Sequence, residues 1–251
     1  MRQHVLGVPV DNLSMDETLD RIGQFVADGR PHQHVVINVD KVVKARRDPQ
    51  LLAIIAGCDL INADGMPVVW ASRLLGQPLK QRVTGVDLFD ALLQRAEARG
   101  WRPYFLGARA EVVQAVVATA RRRHPRLQVA GWRDGYWDPA DDAQVAAAIA
   151  DCRPDLLFVA ISSPRKEQFL AAFQSRMKVP FAMGVGGTFD VMVGRTRRAP
   201  RWMQRTGLEW FYRFMQEPQR MFRRYFVDSL PFFTALAREL VVARRRRAPG
   251  V

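Results

Sequence analysis

The stretch Asp155-Leu-Leu-Phe-Val-Ala-Ile161-Ser-Ser-Pro-Arg-Lys166-Glu-Gln168 sets the reading of the whole chain. The apolar run Asp155–Ile161 reads as a strand, Ser162–Gln168 as a polar turn, and Lys166–Met177 as a helical pattern. The same grammar recurs on both sides. Strands are predicted at His34–Val39, Asp59–Ile61, Pro103–Leu106, Leu127–Ala130 and Phe181–Val185. Helices are predicted at Asp16–Ala27, Lys41–Arg47, Pro49–Ala56, Val86–Arg99, Glu111–Arg123 and Asp141–Ala150. Short Val/Ile/Leu-rich strands alternating with helices predict an α/β fold, a Rossmann-like and mostly parallel sheet flanked by helices. Ligands of such sheets lie beyond the carboxyl ends of the strands. The residues to inspect are therefore Asn38 and Asp40, Asn62 to Gly65, Gly107 to Glu111, Gly131 to Gly135, Ser162 to Gln168, and Gly186 to Asp190.

The chain has 251 residues, of which 48% are apolar and 25% charged. That mix excludes wholesale disorder and suits one large domain or two small ones. Two cysteines, Cys58 and Cys152, are too few for a disulfide framework or a Cys-rich zinc site, which fits a reducing cytoplasm. No apolar run reaches the 18 residues of a membrane span, the N-terminus does not read as a signal peptide, and nothing repeats.

The charge is lopsided. Residues 195–251 hold fourteen arginines, no lysine and four acids, and so carry +10 of the net +13. Residues 1–194 are close to neutral and are read as the α/β catalytic domain, with 195–251 as a basic, aromatic-rich helical appendage. Ten aromatics stand among those arginines, from Trp202 to Phe233. Arginine interleaved with aromatics suits an anionic membrane or a nucleic acid. The plain alternative is a helix that packs its rings on the core and leaves an Arg face in water. Ser229–Ala243 is apolar, but Arg238 and Glu239 interrupt it and it is too short to span a bilayer. With Arg244–Arg247 behind it, it reads as an interfacial helix, each basic residue contributing about 1 kcal/mol near an anionic leaflet.

Several signatures are missing: a Walker A loop, a Gly-x-Gly-x-x-Gly turn, His-Glu-x-x-His, Gly-x-Ser-x-Gly and any Asp-x-Asp. His4, His32, His34 and His124 do not cluster as metal ligands. A diphosphate here would be neutralised by Arg, Lys and backbone N–H groups. Among the turns that are present, Asn62-Ala-Asp64-Gly65 exposes a carboxylate at the sheet edge. Asp64 is placed to act as a general base once burial raises its pKa, or else to cap a helix starting near Pro67. Arg82 precedes a helix start that could dock an anion. Gly107 ends a strand, Ser162–Gln168 offers hydroxyls and two cations to a diphosphate, and Gly184-Val-Gly186-Gly187 lets a ligand approach the backbone. Asp190 could hold a sugar hydroxyl or cap its own turn.

Taken in order, these pieces resemble the WecG/TagA/CpsF family of bacterial glycosyltransferases. The matching residues are Val35–Asp40, Asn62–Gly65, Arg82–Gly85, Tyr104–Gly107, Ser163–Glu167, Gly184–Asp190, Arg198–Trp202, Gly207–Arg213, Glu217–Arg220 and Arg224-Tyr225, spanning roughly residues 5–228. The resemblance implies an inverting transferase that needs no metal or other cofactor. It moves a sugar from a UDP-sugar to a polyprenyl-diphosphate-linked saccharide in cell-surface polysaccharide synthesis. It implies Asp64 as base, Arg82 beside it, and Asn38 and Gly65 in the pocket. Gly107, Arg165, Lys166, Glu167, Gly186, Gly187 and Asp190 are carried with them as substrate-binding candidates. It further implies that the appendage meets the inner face of the plasma membrane and completes the site with Arg213, Arg220 and Arg224. Nucleic acid is then not a partner, and a homo-oligomer is left open. Two departures bear on the donor. Val36 stands where many members have Thr, and Lys166 where many have Gln, so N-acetylmannosamine, its uronic acid, glucose or another uronic acid all remain open. The competing reading is a nucleic-acid-binding protein with an Arg/aromatic tail, whose polynucleotide binding Asp64→Asn would leave intact.

Overall fold

The structure, a computed structural model, describes residues 2–247; the side chains of Arg205, Arg220, Arg224 and residues 243–247 fall outside that description. Strands β1 (Arg2–Val5) and β2 (Val8–Asp11) come first, followed by α1 (Met15–Asp28), β3 (His32–Ile37), α2 (Val39–Arg47), α3 (Pro49–Ala56), β4 (Leu60–Ala63) and α4 (Met66–Leu74). Next are α5 (Gly85–Arg99), β5 (Pro103–Gly107), α6 (Ala110–Arg123), β6 (Gly131–Arg133), α7 (Asp142–Asp151), β7 (Leu156–Ala160), α8 (Arg165–Met177), β8 (Phe181–Gly184) and α9 (Thr188–Met192). The chain then turns wholly helical, with α10 (Arg201–Thr206), α11 (Glu209–Gln216), α12 (Pro218–Phe222), a π-helical turn at Arg223–Val227, and α13 (Leu230–Arg247).

Six strands form one sheet in the order β4-β3-β8-β7-β5-β6, and every neighbouring pair is parallel. The predicted α/β architecture holds. Alternation along the strands divides the core. Phe105, Phe158, Phe181 and Met183 face α1, α5, α6 and α9, where Phe89 packs edge-on to Phe158. Leu106, Leu157, Val159 and Ala182 face α7 and α8. Val35, Ile37, Ile61 and Ala63 face α2, α3, α4, the β1–β2 hairpin and α13. Covered on both faces, the strands need the near-continuous apolar runs seen in the sequence.

Two local features differ from the sequence-based expectation. Leu127–Ala130 is not a strand: pairing to β5 starts at Tyr104 opposite Gly131, and Leu127 instead fills the core under α6. The reason is packing, since a Cβ at Gly131 would come within 2.7 Å of the Tyr104 ring, so glycine lets this edge close up. The Val-rich N-terminus, read only as lacking a leader, forms the hairpin. Leu6 and Gly7 both take positive φ, as a two-residue hairpin turn requires, and Asp11 then accepts the Ile61 N–H at 2.8 Å, fixing the hairpin beside β4.

The appendage covers one part of this body. Phe232 is fully buried, and Ala235 and Leu236 pack with it onto the α2 side of the core. The other rings do not follow. Trp202, Trp210, Phe211, Phe222, Phe226 and Phe233 are exposed, and the ring pairs described for them stay within the appendage, as in Trp210–Phe211 and Phe222–Phe226. The packed-helix alternative thus describes Phe232 and not the exposed set. Among the described residues no helix is long and apolar enough to cross a membrane.

The helices that follow the strands of this sheet begin at one edge, and at Gly107 two backbones meet closely there. Gly107 has φ +116°, and an added Cβ would lie 2.5 Å from the Ala160 carbonyl carbon. Gly107→Ala should therefore cost about 2 kcal/mol or more in denaturant unfolding. Ala at Gly186, which also has positive φ but open space around it, should cost less.

Candidate functional site

The carboxyl edge of the sheet collects the turns named from sequence. Asn38 ends β3 and accepts the Lys41 N–H at 3.0 Å, so its side chain is tied to the start of α2. Gly65 starts α4 next to it: a Cβ there would be 3.7 Å from Asn38 Cβ. Asp64 lies between β4 and α4, with its backbone N–H on the Ile37 carbonyl at 2.9 Å. Its carboxylate accepts the Gly85 N–H at 3.3 Å, the first amide of α5. It does not cap α4, whose N-terminus has no side-chain cap. Val36 lies under the same turn, within 4 Å of a Cβ built on Gly85.

The appendage closes over this cluster. Gly207 sits on Met66 and Trp70, close enough that a Cβ would be 3.1 Å from each. One turn on, Arg82 Nη1 donates to Glu209 Oε2 at 3.2 Å, and its Nη2 reaches the Gln204 carbonyl at 3.5 Å. Arg198 donates to both oxygens of Asp87, at 2.5 and 2.8 Å, and its Nε lies 3.5 Å from Glu209 Oε1. Asp87 also accepts the Thr84 hydroxyl at 2.6 Å, while its own N–H donates to that hydroxyl and caps α5. Arg213, one turn beyond Glu209, comes so near Gly187 that a Cβ there would be 3.4 Å from Nη2.

These contacts govern proton affinities. Burial pushes the Asp64 carboxyl above the usual range; Arg82 opposes this, Glu209 adds to it, and the Gly85 N–H and Arg213 oppose it again. For Asp87 burial also works against the charge, but the Arg198 and Thr84 hydrogen bonds outweigh it and hold the carboxyl low. Two carboxyls at the same edge, one before α4 and one in the first turn of α5, are thus driven apart, a pattern that marks acid–base sites.

The remaining candidates fall into other groups. Glu167 is almost fully buried and accepts from Lys41 Nζ at 2.7 Å, with Lys166 Nζ 3.5 Å from the same oxygen. Burial, then the Lys41 charge, brings Lys166 down to about 8. Lys166 and Glu167 therefore form a buried triad with Lys41 behind Gly184 rather than an open binding turn. Arg165 pairs with Asp142 at 3.0 Å and lies over the Trp137 ring. Gly107 faces Gly135, whose N–H donates to the Ala108 carbonyl at 2.8 Å. β5 is four strand spacings from β4, about 19 Å, and β7 three, about 14 Å, so Gly107 and Arg165 stand away from Asp64 along one continuous edge. Gly186 and Gly187 are exposed on that edge, and Asp190 is half-buried in α9. The side chains of Arg220 and Arg224 lie outside the described residues. Among the described residues no three His, Cys, Asp or Glu side chains converge as metal ligands.

The sequence reading missed Glu209, Asp87 and Arg198. For Glu209 a signal existed: it precedes Arg213 by four, so both share one face of a helix. Asp87 and Arg198 are 111 residues apart and left no local trace.

A parallel α/β sheet whose carboxyl edge carries a carboxylate of raised proton affinity and several fixed cations has the layout of a Rossmann-like group-transfer enzyme. Comparison with known proteins makes that specific. Residues 3–246 match the glycosyl transferase WecG/TagA/CpsF family, and the chain belongs to it. It is a glycosyltransferase. It is 37% identical over 186 residues to an N-acetylglucosaminyldiphosphoundecaprenol N-acetyl-beta-D-mannosaminyltransferase of Bacillus spizizenii, covering 74% of this chain and 72% of that protein. It is 32% identical over 214 residues to the protein of the same name from Bacillus subtilis (85% and 83% covered). It is also 32% identical over 231 residues to the one from Staphylococcus aureus strain MW2 (91% and 89%). Family membership sets aside the nucleic-acid reading of the fold.

Because folding raises the Asp64 pKa above its unfolded value, its ionisation destabilises the native state as pH rises through that pKa. Asp64→Asn should therefore raise the melting temperature above the parent's at pH 7.5. The gain should shrink as pH falls through that raised pKa and the parent's carboxyl takes up its proton.

Proposed function

We propose that the chain transfers a sugar from a UDP-sugar to a polyprenyl-diphosphate-linked saccharide, with inversion at the anomeric carbon. Asp64 takes the proton from the acceptor hydroxyl as that oxygen bonds to the anomeric carbon. The bond from that carbon to the UDP oxygen breaks, and its electron pair leaves with UDP. One displacement from the face opposite the leaving group inverts the centre. The observation that carries this reading is the placement of Asp64. It is a half-buried carboxylate of raised proton affinity, with Arg82 and Arg213 beside it, in a chain of this family.

Fixed cations take the part of a divalent ion in this reading. Arg82, Arg213 and the N-termini of α2, α4 and α5 all face the edge where a diphosphate would lie, and the sequence has no Asp-x-Asp to hold a metal on it. The donor belongs to the UDP-hexose or UDP-N-acetylhexosamine class. The relatives' names specify N-acetyl-β-D-mannosamine as the group moved and N-acetylglucosaminyl-diphosphoundecaprenol as the acceptor. Val36 is the position we assign to donor choice, since it lies under the Asp64–Gly85 turn with a methyl where the family often has a hydroxyl.

The acceptor's lipid tail places the enzyme at the inner face of the plasma membrane, held by the appendage. Support comes from its exposed rings, Trp202, Phe222, Phe226 and Phe233, standing in the stretch that carries +10 of the charge. Residues 195–251 are then a membrane-associating unit and 1–194 the catalytic one.

Two experiments test this. A panel of UDP-sugars should include one whose labelled sugar enters a defined lipid-diphosphate saccharide, undiminished by EDTA, and Asp64→Asn should lower kcat at least about a hundredfold. No label with any donor, from folded protein, would overturn the reading. Separately, the protein should sediment with vesicles containing phosphatidylglycerol and not with phosphatidylcholine alone. Binding should weaken as salt rises and in a Phe222→Ser/Phe226→Ser/Phe233→Ser variant.

A further inference from the structure

Arg82 lies beside Asp64, yet none of its described hydrogen bonds goes to that carboxylate. Its partners are Glu209 Oε2 and the Gln204 carbonyl, both in the appendage. Glu209 is itself fixed from the other side by Arg198, which the two-pronged grip on Asp87 holds in place. Asp87 is fixed in turn by Thr84, whose neighbour Gly85 donates to Asp64. The contacts thus run as a chain from Asp64 through α5, Asp87, Arg198 and Glu209 to Arg82, whose charge acts back on Asp64. Of its members, Glu209 is the acid that α11 carries onto the catalytic edge.

We propose that Glu209 is a positioning residue for the transfer reaction. From the appendage it holds the Arg82 guanidinium away from Asp64 and sets its own negative charge beside that carboxylate, so that Asp64 is a competent base only while α11 is docked. This rests on the reading of Asp64 as the base.

The physical case is a balance of charge. The groups facing Asp64 are Arg82 from the segment before α5, the Gly85 amide at the start of α5, Glu209 and Arg213 from α11, and the uncharged Asn38 from the start of α2. Asp87 and Arg198 stand behind them and largely satisfy each other. Remove Glu209 from this set, and Asp64 faces two guanidiniums with nothing to offset them. An arginine at such range lowers a carboxyl pKa by about 1–3 units and weakens it as a base. Arg82 would also be free to swing onto Asp64 and compete for the lone pair that must accept the acceptor's proton. With Glu209 present, the nearer guanidinium is occupied and a like charge raises the proton affinity of Asp64 further. Docking of the appendage and activation of the base are then one event. Donor bound before α11 closes meets a carboxylate too weak to activate water, which limits its hydrolysis.

The test is the pH dependence of kcat/KM for the full-length parent, Glu209→Gln and Glu209→Asp, with the Asp64 carboxylate titrated directly by carbon-13 NMR of the same proteins. In Glu209→Gln the acid limb and the Asp64 resonance should both move to lower pH by about one unit, and the plateau rate should fall. In Glu209→Asp the charge remains. Its limb should stay with the parent's, because a carboxylate beside Asp64 still offsets and pairs with Arg82. A rate loss in Glu209→Gln with neither the limb nor the resonance moved would reduce Glu209 to a structural contact and overturn the proposal. If Glu209→Gln does not fold, Glu209→Asp decides alone, since a shifted limb with the charge retained overturns the proposal. If the parent transfers no sugar from any donor, the function proposed above fails. The NMR titration, which needs no turnover, still shows whether Glu209 governs Asp64.

Discussion

Arg198 places two donors on Asp87, at 2.5 and 2.8 Å, across 111 residues of chain, and the geometry of the catalytic edge hangs on that pair. Asp87 does three things at once. It anchors the segment that leads into the appendage. It accepts the Thr84 hydroxyl, which in turn caps α5. Through that cap it fixes where Gly85 points its amide, and the amide points at Asp64. A bidentate Arg–carboxylate pair is directional as well as strong, so it transmits position and not merely attraction. Without it the ion pairs described for Glu209 would reduce to Arg82 alone. One partly exposed ion pair gives little in stability and less in orientation.

Whatever depended on short-range pattern was legible in the sequence. β7 and β8 are apolar runs because both faces of a parallel sheet are covered, and the helices around them show apolar spacing. Once the sheet was parallel, its carboxyl edge was known, and Asn38, Asp64 and Gly187 followed from chain position. What escaped was of two kinds. β6 is only Gly131-Trp-Arg133, too short and too polar to carry a period; its existence depends on glycine letting the Tyr104 ring come close. Long-range charge pairing escaped as well. Lys41 and Glu167 are 126 residues apart, and each alone reads as a surface residue, yet together they are buried. Lys166 suffered from the same blindness: its turn suggested an open cation, while packing put it behind Gly184 and brought its pKa to about 8.

The appendage shows the same division. Its charge and ring content announced a surface-seeking segment, and the exposed rings agree with that composition. Its docking did not show in the composition. Phe232, Ala235 and Leu236 are unremarkable in an apolar helix, yet they are what α13 buries against α2. Only Gly207, closing onto Met66 and Trp70, marked where the chain had to come near the body, since no larger residue fits there without displacing them.

Charge balance around Asp64 links these observations. Arg82, Arg198 and Arg213 meet Glu209 and Asp87, so with Asp64 ionised the group is close to neutral, although it lies at the start of the most basic stretch of the chain. A carboxylate ringed by uncompensated arginines would have its pKa pulled down and would be a poor proton acceptor. A neutral ring lets burial dominate, which is why burial heads the causes that raise it. In the proposed reaction Arg82 and Arg213, with the helix N-termini around them, also face the donor's diphosphate beside Asp64. The buried Lys41–Glu167–Lys166 triad, with two cations to one acid, lies behind β8 in the middle of the sheet. In the proposed displacement the attacked carbon holds base and departing diphosphate close together, so the one ring of charges beside Asp64 has to serve both proton transfer and charge stabilisation.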